Sequence, residues 1–368
     1  MRLSPLPKLL KIPVARAPLF YRRSFATASP APNSSDRNVK IIEVGPRDGL
    51  QNEKQIIPLE TKLDLLRRLG EAGLSTIEAG SFVSPKWVPQ AYSNNVLEGI
   101  LHGKVTSPNP VCYSFLVPNM RGMQDMGDIL SQNKERFCTQ LEPSQNTATP
   151  EIEIAIFAAA SEAFSQKNLN MDIATSLATF SNVIAEAKGM GLRVRAYISV
   201  VLGCPFVGYD VKPVAVAEIA RDLLEMGADE ISLGDTTGMG TAPRTRELLK
   251  AMTAAGIRNE DVAMHFHDTR GQALVNTAIA LEHGIRKFDS SVGGLGGCPY
   301  SPGATGNVAT ENMVYFLDSV GLETGVDLEA MAEIGAWITG KLGKANESTV
   351  GKAVLGERRR RAEGAVRE

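Results

Sequence analysis

The clearest indication of the fold lies in residues 193–235, RVRAYISVVLGCPFVGYDVKPVAVAEIARDLLEMGADEISLGD. This stretch begins with RVRAYISVV and ends with DEISLGD, and short apolar, partly β-branched runs of this kind are typical of buried strands. Between them, KPVAVAEIARDLLEMGA (Lys212–Ala228) has apolar residues at i, i+3, i+4 and i+7 and a glycine near its end. This spacing predicts an amphipathic helix. The stretch therefore predicts a strand–helix–strand unit of a parallel sheet.

The same pattern recurs along the chain from Val39 onward. The predicted strands are VKIIEVG, STIEAGS, VCYSFLVP, EIEIAIFAA, RVRAYISVV, DEISLGD, VAMHFHD and KFDSSVGG. Eight strand–helix repeats over roughly 280 residues predict an α/β fold of the (β/α)8 TIM-barrel type. The alternative is a doubly wound open sheet, but GDTTGMG lacks the G-x-G-x-x-G spacing of its phosphate-binding loop. DLEAMAEIGAWITGKLG (Asp327–Gly343) predicts an extra C-terminal helical segment outside the barrel.

Composition narrows the classes of protein that fit. The chain has 368 residues, of which 43% are hydrophobic, enough for one large domain or two ordinary ones. The 39 basic and 41 acidic residues nearly balance, which argues against binding to nucleic acid or to an anionic membrane. No apolar run is long enough to predict a transmembrane helix. The 4 cysteines are few and scattered, so we expect neither a disulfide framework nor a paired-cysteine metal site.

The N-terminal residues differ in composition from the rest of the chain. No Asp or Glu occurs before Asp36, and basic residues alternate with Leu, Ile, Phe and Tyr. A basic, acid-free, amphipathic leader predicts a mitochondrial transit peptide over residues 1–36 and a location in the mitochondrial matrix; the alternative is a disordered basic tail. We expect the TIM-barrel catalytic domain over residues 37–322, and a C-terminal helical extension with a basic tail over 323–368.

In a TIM barrel the active site lies where the strands end, so we expect the functional residues at those positions. Five polar residues follow or end predicted strands: Arg47, Asp48, Glu78, Ser81 and Asp235. Each has a structural alternative as well. Arg47 could neutralise Asp48 or Glu78, and Asp235 or Ser81 could cap the helix that follows.

The predicted seventh strand carries the sequence MHFHDT. His265 and His267 are two residues apart, so on a strand both imidazoles face the same side. Together with Asp48 they predict a divalent metal site, and mixed nitrogen and oxygen ligands without a thiolate favour Mg²⁺ or Mn²⁺. The alternative is a pair of packed core histidines.

A glycine-rich stretch, SVGGLGGCPYSPGATGN (Ser291–Asn307), carries Cys298 at its centre. A lid that opens and closes needs such a backbone, which predicts a reactive thiol on a mobile loop. Cys204, in LGCPF, is instead interpreted as a buried and unreactive thiol.

Six stretches together resemble the 3-hydroxy-3-methylglutaryl-coenzyme A lyase family, from about Val39 to about Val326. They are EVGPRDGLQNE, SFVSPKWVPQ, AYISVVLGCPF, EISLGDTTG, HFHDTRGQAL and SSVGGLGGCPYSPGATGNVATE. The GLGGCPY loop is specific to the family. The R-D-G-x-Q and H-x-H elements are shared with isopropylmalate, homocitrate and citramalate synthases.

The resemblance implies a metal-dependent carbon–carbon lyase. It would cleave 3-hydroxy-3-methylglutaryl-CoA to acetyl-CoA and acetoacetate, in leucine breakdown and ketone-body formation, and we expect a homodimer. Residue by residue, it implies that Asp48, His265, His267 and Asn307 are metal ligands and that Arg47 stabilises the enolate. It also implies that Glu78 and Asp235 are supporting acids and that Cys298 is the catalytic thiol. Glu311, Lys54 and Ser81 would lie near the substrate.

Three other functions stay open at this point. One is a condensing synthase of the related barrels, which would lack the cysteine loop. Another is a lyase for a different 3-hydroxyacyl-CoA, because IEAGSF beside Ser81 is less polar than the usual family run. The third is a non-catalytic binding protein, although every predicted ligand position is filled here.

Overall fold

Eight parallel strands form a closed barrel in which each strand pairs with the next along the chain and β8 pairs with β1. The structure is a computed structural model, and it describes residues 37–51, 53, 55–83, 93–139, 149–297 and 305–365. The strands are β1 Lys40–Glu43, β2 Thr76–Ser81, β3 Cys112–Leu116, β4 Glu151–Ala159, β5 Arg193–Ser199, β6 Glu230–Asp235, β7 Val262–Phe266 and β8 Lys287–Ser290. The predicted (β/α)8 barrel is confirmed.

The helices surround the barrel and continue beyond it at the C-terminus. They are α1 Leu59–Glu71, α2 Ser93–Leu101, α3 Met120–Ser131, α4 Glu162–Leu169, α5 Ile173–Gly189, α6 Pro213–Glu225, α7 Ala242–Ala254, α8 Ala273–Glu282, α9 Thr310–Ser319, α10 Leu328–Leu342 and α11 Thr349–Ala365. The extra C-terminal helical segment is therefore present as α10 and α11. Among the described residues, no helix is both long and apolar enough to span a bilayer.

Side chains on each strand alternate between the helical layer and the barrel interior. On β5, Val194, Ala196 and Ile198 belong to the large apolar core under the helices. The intervening Arg195 and Tyr197 are excluded from that core and make polar contacts across the barrel. Ion pairs of Glu230 with Arg195 (3.1 Å) and with Lys287 (2.5 Å) close the N-terminal part of the interior.

Five strands (β1, β3, β5, β7 and β8) end earlier than the sequence predicts, and the ends of β7 and β8 lie next to His267 and the glycine-rich stretch. β8 stops at Ser290 and is followed by a 3₁₀ turn, Val292–Gly294, in which Gly293 and Gly294 have φ of 63° and 66°. Only glycine adopts this left-handed conformation readily, so the two glycines end the strand. β7 stops at Phe266, which places His267 one residue beyond the strand.

The basic C-terminal stretch is helical rather than an irregular tail. α11 continues to Ala365, and residues 357–361 are exposed, as expected for a solvated segment. Arg and Ala favour helix, and an ion pair between Arg361 and Glu357 (3.5 Å) joins successive turns. The segment predicted as a transit peptide, residues 1–36, lies outside the described residues.

Candidate active site

A single π-helical turn, Gly45–Gly49, carries Arg47 and Asp48 to the C-terminal mouth of the barrel. The carbonyl of Val44 accepts the backbone N–H groups of Arg47, Asp48 and Gly49 at 3.2, 2.8 and 3.2 Å. The turn begins directly after β1, so these side chains lie at the end of the first strand. This is the position that the sequence predicts for a catalytic pair.

The Arg47 guanidinium bridges two carboxylates. It lies 2.8 Å from Asp48 Oδ1 and 2.6 Å from Glu78 Oε2, and the hydroxyl of Tyr197 donates to the same Glu78 oxygen at 3.2 Å. Burial raises the pKa of Glu78, although Arg47 acts in the opposite direction. Burial alone would also raise the pKa of Asp48, but the charge of Arg47 outweighs burial and lowers it to about 2. Asp48 is therefore ionised at neutral pH.

Asp48, His265 and His267 form a group of potential metal ligands. One ligand atom from each lies within 4.8 Å of the others. The Nδ1 of His265 contacts Asp289 Oδ2 at 3.1 Å, which orients the ring so that its Nε2 is available to a ligand. Asn307 joins the group, because its Nδ2 donates to Asp48 Oδ2 at 2.8 Å.

Two buried atoms show that this group suits a cation. His267 Nδ1 and Asn307 Oδ1 have no hydrogen-bond partner among the described residues. Burial lowers the pKa of His267 to about 3, so its imidazole is neutral and can ligate. A carboxylate, two imidazoles and an amide oxygen are a donor set that divalent cations accept.

The start of the glycine-rich stretch lies against this group. Gly296 has a φ of 120°, and a Cβ at that position would come within 2.8 Å of Asn307 Nδ2. Glycine is therefore required there for the backbone to pass the ligand group. Cys298 lies outside the described residues, two positions further along the chain.

Several residues of the site could not be recognised from the sequence. Asp289 accepts from Arg195 Nη2 at 2.6 Å and from Ser232 Oγ at 2.9 Å, in addition to its contact with His265. Arg195 and Arg47 both lie over the ring of Tyr197, at 4.9 and 5.6 Å from its centroid. The available signal was a polar or aromatic side chain at alternate positions (Arg195 and Tyr197 in RVRAYIS, Asp289 in KFDSS), because alternate residues of a barrel strand face the interior.

Asp235 and Ser81 are buried at the ends of their strands, but their contacts are to the backbone. Asp235 accepts the N–H of Gly240 at 3.1 and 3.0 Å, in the loop before α7, and burial raises its pKa to about 6. Gly240 precedes Thr241, the N-cap residue of α7, so Asp235 holds the loop before this helix and does not cap the helix itself. The hydroxyl of Ser93 bonds to both the N–H and the C=O of Ser81, and the Ser81 hydroxyl itself is buried with no partner in the described part of the chain.

Glu311 is buried and contacts the backbone of the turn after β8. Both of its carboxylate oxygens accept the N–H of Gly293, at 3.1 and 3.0 Å, and burial raises its pKa to about 8. It thus holds the 3₁₀ turn that leads into the glycine-rich stretch.

Cys204 is fully buried and accepts a hydrogen bond from Ser161 Oγ at 3.2 Å, in agreement with its interpretation as a packed thiol. Lys54 lies outside the described residues.

Comparisons with known proteins agree with this geometry. A family profile described as HMGL-like matches residues 38–338. The 3-hydroxy-3-isohexenylglutaryl-CoA/hydroxy-methylglutaryl-CoA lyase of Pseudomonas aeruginosa is 49% identical over 320 residues, covering 87% of this chain and 98% of that protein. The mitochondrial hydroxymethylglutaryl-CoA lyase of Bos taurus is 45% identical over 318 residues, covering 86% and 90%.

The fold agrees over the same span. A crystal structure of hydroxymethylglutaryl-CoA lyase from Pseudomonas aeruginosa superposes with a TM-score of 0.77 at 47% identity, covering 87% of this chain and 98% of that one. The family profile extends from β1 into α10 and so includes the mouth where Arg47, Asp48 and the two histidines meet. On these grounds the chain belongs to the hydroxymethylglutaryl-CoA lyase family.

Proposed function

We propose that this protein cleaves 3-hydroxy-3-methylglutaryl-CoA to acetyl-CoA and acetoacetate. The observation that carries the proposal is the fixed guanidinium of Arg47 beside the Asp48, His265 and His267 group. A cation site next to a permanent positive charge suits a substrate that holds a hydroxyl, a carboxylate and a thioester close together. The reaction is the one named for the relatives, and it would serve leucine breakdown and ketone-body formation.

Asp48, His265, His267 and Asn307 would hold a divalent cation, Mg²⁺ or Mn²⁺. Bound there, it supplies Lewis-acid polarisation that lowers the pKa of the substrate's C3 hydroxyl. Asp48 is ionised, so it is available to accept the hydroxyl proton. As the proton leaves, the C3–O bond becomes a carbonyl and the C2–C3 bond breaks, which releases acetoacetate.

The electron pair of the broken bond passes to C2 and the thioester oxygen, giving an enolate. Arg47 places a permanent positive charge where this oxygen becomes negative. Glu78 binds the Arg47 guanidinium, Tyr197 binds Glu78, and together they fix the orientation of the guanidinium. The enolate carbon then takes up one proton to become the methyl group of acetyl-CoA. We assign that proton to the thiol of Cys298, carried on the glycine-rich loop.

The remaining site residues have supporting roles in this proposal. Glu78 and Asp235 assist as buried acids near the substrate, while Lys54, Ser81 and Glu311 are proposed to contribute to substrate binding. For Glu311, the contact with Gly293 favours an indirect contribution, through the turn that precedes the loop.

The activity has a direct test. Purified protein is incubated with 3-hydroxy-3-methylglutaryl-CoA, with EDTA and then with excess Mg²⁺, while acetoacetate and acetyl-CoA are quantified. Equal amounts of both products, formed only with the cation, are expected. Release of free CoA from acetyl-CoA and a 2-oxo acid would instead favour the condensing synthase. Parallel reactions with substrates that carry longer substituents on C3 test whether this protein shares the wider substrate range that the name of the Pseudomonas aeruginosa relative indicates.

We also propose that residues 1–36 direct the protein to the mitochondrial matrix, where residues 37–322 form the catalytic domain and 323–368 an extension, as a homodimer. The acid-free basic leader and the mitochondrial name of the Bos taurus relative support this location. Fusion of residues 1–36 to a fluorescent protein should give mitochondrial import that is lost when its arginines are replaced. Light scattering of the mature chain measures the oligomeric state.

A further inference from the structure

A small apolar cluster lies inside the barrel, separate from the main core. It consists of Leu116, Ala155 and Tyr197, with Val83 and Phe157 packed against it. The residues that flank its members on β4, Ile154, Ile156 and Ala158, belong to the core under the helices. Because neighbours on a strand face opposite sides, Ala155 and Phe157 face the barrel interior.

The cluster lies at the same end of the barrel as the candidate site. Leu116 is the last residue of β3, and Phe157 and Tyr197, which pair in register, lie two residues before the ends of β4 and β5. Val83 follows the end of β2. The metal-ligand group comes from the ends of β1 and β7 and from Asn307 after β8. In a closed barrel of this strand order, the cluster and the ligand group occupy facing sides of the mouth.

Tyr197 joins the two sides. Its ring meets the ring of His265 edge-on, with centroids 6.1 Å apart, and the Arg47 guanidinium lies 5.6 Å from its centroid. Through Tyr197, the apolar cluster therefore lies next to the groups that would act on C3 of the substrate. Val83 and Phe157 are half-buried, so this surface is reached from the mouth rather than sealed within it.

We propose that Val83, Leu116, Phe157 and Tyr197 form an apolar wall that receives the alkyl substituent on C3 of the substrate and limits its length. The inference rests on the proposed lyase function and identifies what sets its substrate range. C3 bears a hydroxyl, an arm with a carboxylate, an arm with a thioester and one alkyl group. The first three match Asp48, the cation ligands and Arg47, and the alkyl group matches the facing apolar surface.

The size of the substituent is then set by Phe157. An aromatic ring at the mouth end of the wall fits a methyl group and obstructs a longer chain, while Ala155 beneath it is too small to do so. Each methylene added or removed in an apolar pocket changes kcat/KM by roughly 10–200-fold. A change of wall volume should therefore alter selectivity between substituents much more than it alters the chemical step.

The test compares kcat/KM for the 3-methyl substrate and for 3-hydroxy-3-butylglutaryl-CoA. In Phe157→Ala, the ratio should shift toward the butyl compound by roughly tenfold or more. Val83→Ala should shift it in the same direction by a smaller amount, and Phe157→Leu keeps the proposal testable if the alanine variant does not fold. The matched control is Phe206→Ala, which removes an aromatic ring that follows β5 and packs on Phe164 outside the wall; its ratio should stay unchanged.

The outcomes separate the two levels of inference. If the wild-type protein cleaves the methyl substrate while folded Phe157 and Val83 variants lose activity equally on both compounds, the wall does not select the substituent and the inference is overturned. If the wild-type protein cleaves neither thioester, the lyase function itself fails. A shift in Phe206→Ala as large as that in Phe157→Ala would also overturn the wall, because selectivity would then respond to any aromatic residue near the mouth.

Discussion

Replacing Arg47 with lysine should separate the geometry of the guanidinium from its charge. The arginine contacts Asp48 and Glu78 at the same time, at 2.8 and 2.6 Å, through two different nitrogens. A lysine ammonium is a point charge on one atom, so it cannot reproduce this planar bridge. Arg47→Lys therefore leaves either the fully buried Glu78 or Asp48 without its partner, and the cation moves away from the proposed position of the thioester oxygen.

We expect a large loss of turnover because the contact between Arg47 and Glu78 is shielded from water. The Arg47 side chain is 9% exposed and that of Glu78 is 0% exposed, so water cannot replace the missing contact. Removing one donor of this kind typically costs about 3–4 kcal/mol in the transition state, or roughly 10²–10³ in rate. We expect kcat to fall by this factor while KM changes little, because the oxygen becomes negative only during the reaction.

A matched control is available on the surface. Arg67 also bridges two carboxylates, Asp64 at 2.5 Å and Glu71 at 2.6 Å, but its side chain is 34% exposed. Arg67→Lys should leave kcat unchanged and alter stability by less than about 1 kcal/mol. Initial rates of acetoacetate formation and thermal unfolding should be measured for both variants. Near-normal turnover in a folded Arg47→Lys protein would refute the enolate assignment and reduce Arg47 to a structural ion pair.

Three further predictions address the cation, the thiol and a buried acid. EDTA should abolish activity, and Mg²⁺ or Mn²⁺ should restore it. The His267→Ala variant should need a higher cation concentration for activity, while its melting temperature stays unchanged. Activity in a verified metal-free sample would contradict the cation site. Cys298→Ser should lower turnover roughly 10²–10⁴-fold with substrate binding intact, because a hydroxyl is a far weaker acid than a thiol; an active serine variant would exclude the thiol as proton donor. Since the folded-state pKa of Glu311 is raised to about 8, its stabilising effect is complete below the ordinary carboxyl range and is lost as pH rises toward 8. Between pH 5 and 9 this loss is on the order of 4 kcal/mol in urea unfolding, and Glu311→Gln should flatten the profile; parallel profiles would contradict the assignment.

The barrel could be predicted because its signals are local. Each strand is a short buried run that ends in residues unsuited to strands, and each helix has its own apolar period, so no long-range information was needed. The ends of several strands were the exceptions, and β8 differs most from its predicted run. Whether Gly293 continues a strand or adopts a positive φ depends on what holds its N–H, and that partner is Glu311, 18 residues away.

The ligand group was also accessible from sequence, for a topological reason. Once eight parallel strands are assumed, every strand end lies at one mouth, so Asp48 and the two histidines are brought together without knowledge of side-chain contacts. The same reasoning cannot say what a buried carboxylate binds. Asp235 and Asp289 both lie on barrel strands and are both buried. Asp235 nevertheless accepts a loop N–H, whereas Asp289 accepts a hydrogen bond from Arg195 and contacts His265.

β5 shows most clearly what the sequence pattern conceals. Its period of two residues places Arg195 and Tyr197 on the inner face, one above the other, and this much follows from alternation alone. Their opposite roles come from depth in the barrel. Arg195, at the lower level, pairs with Glu230 and with Asp289, which in turn contacts the ligand His265. Tyr197, one pleat higher, is buried between the apolar cluster and Arg47, so its hydroxyl holds Glu78 while its ring forms part of the proposed apolar wall. A single strand therefore contacts the Asp48, His265 and His267 group through Asp289 at one level and contributes to the proposed apolar wall at the next, and substitution of Tyr197 should affect turnover and substrate range together.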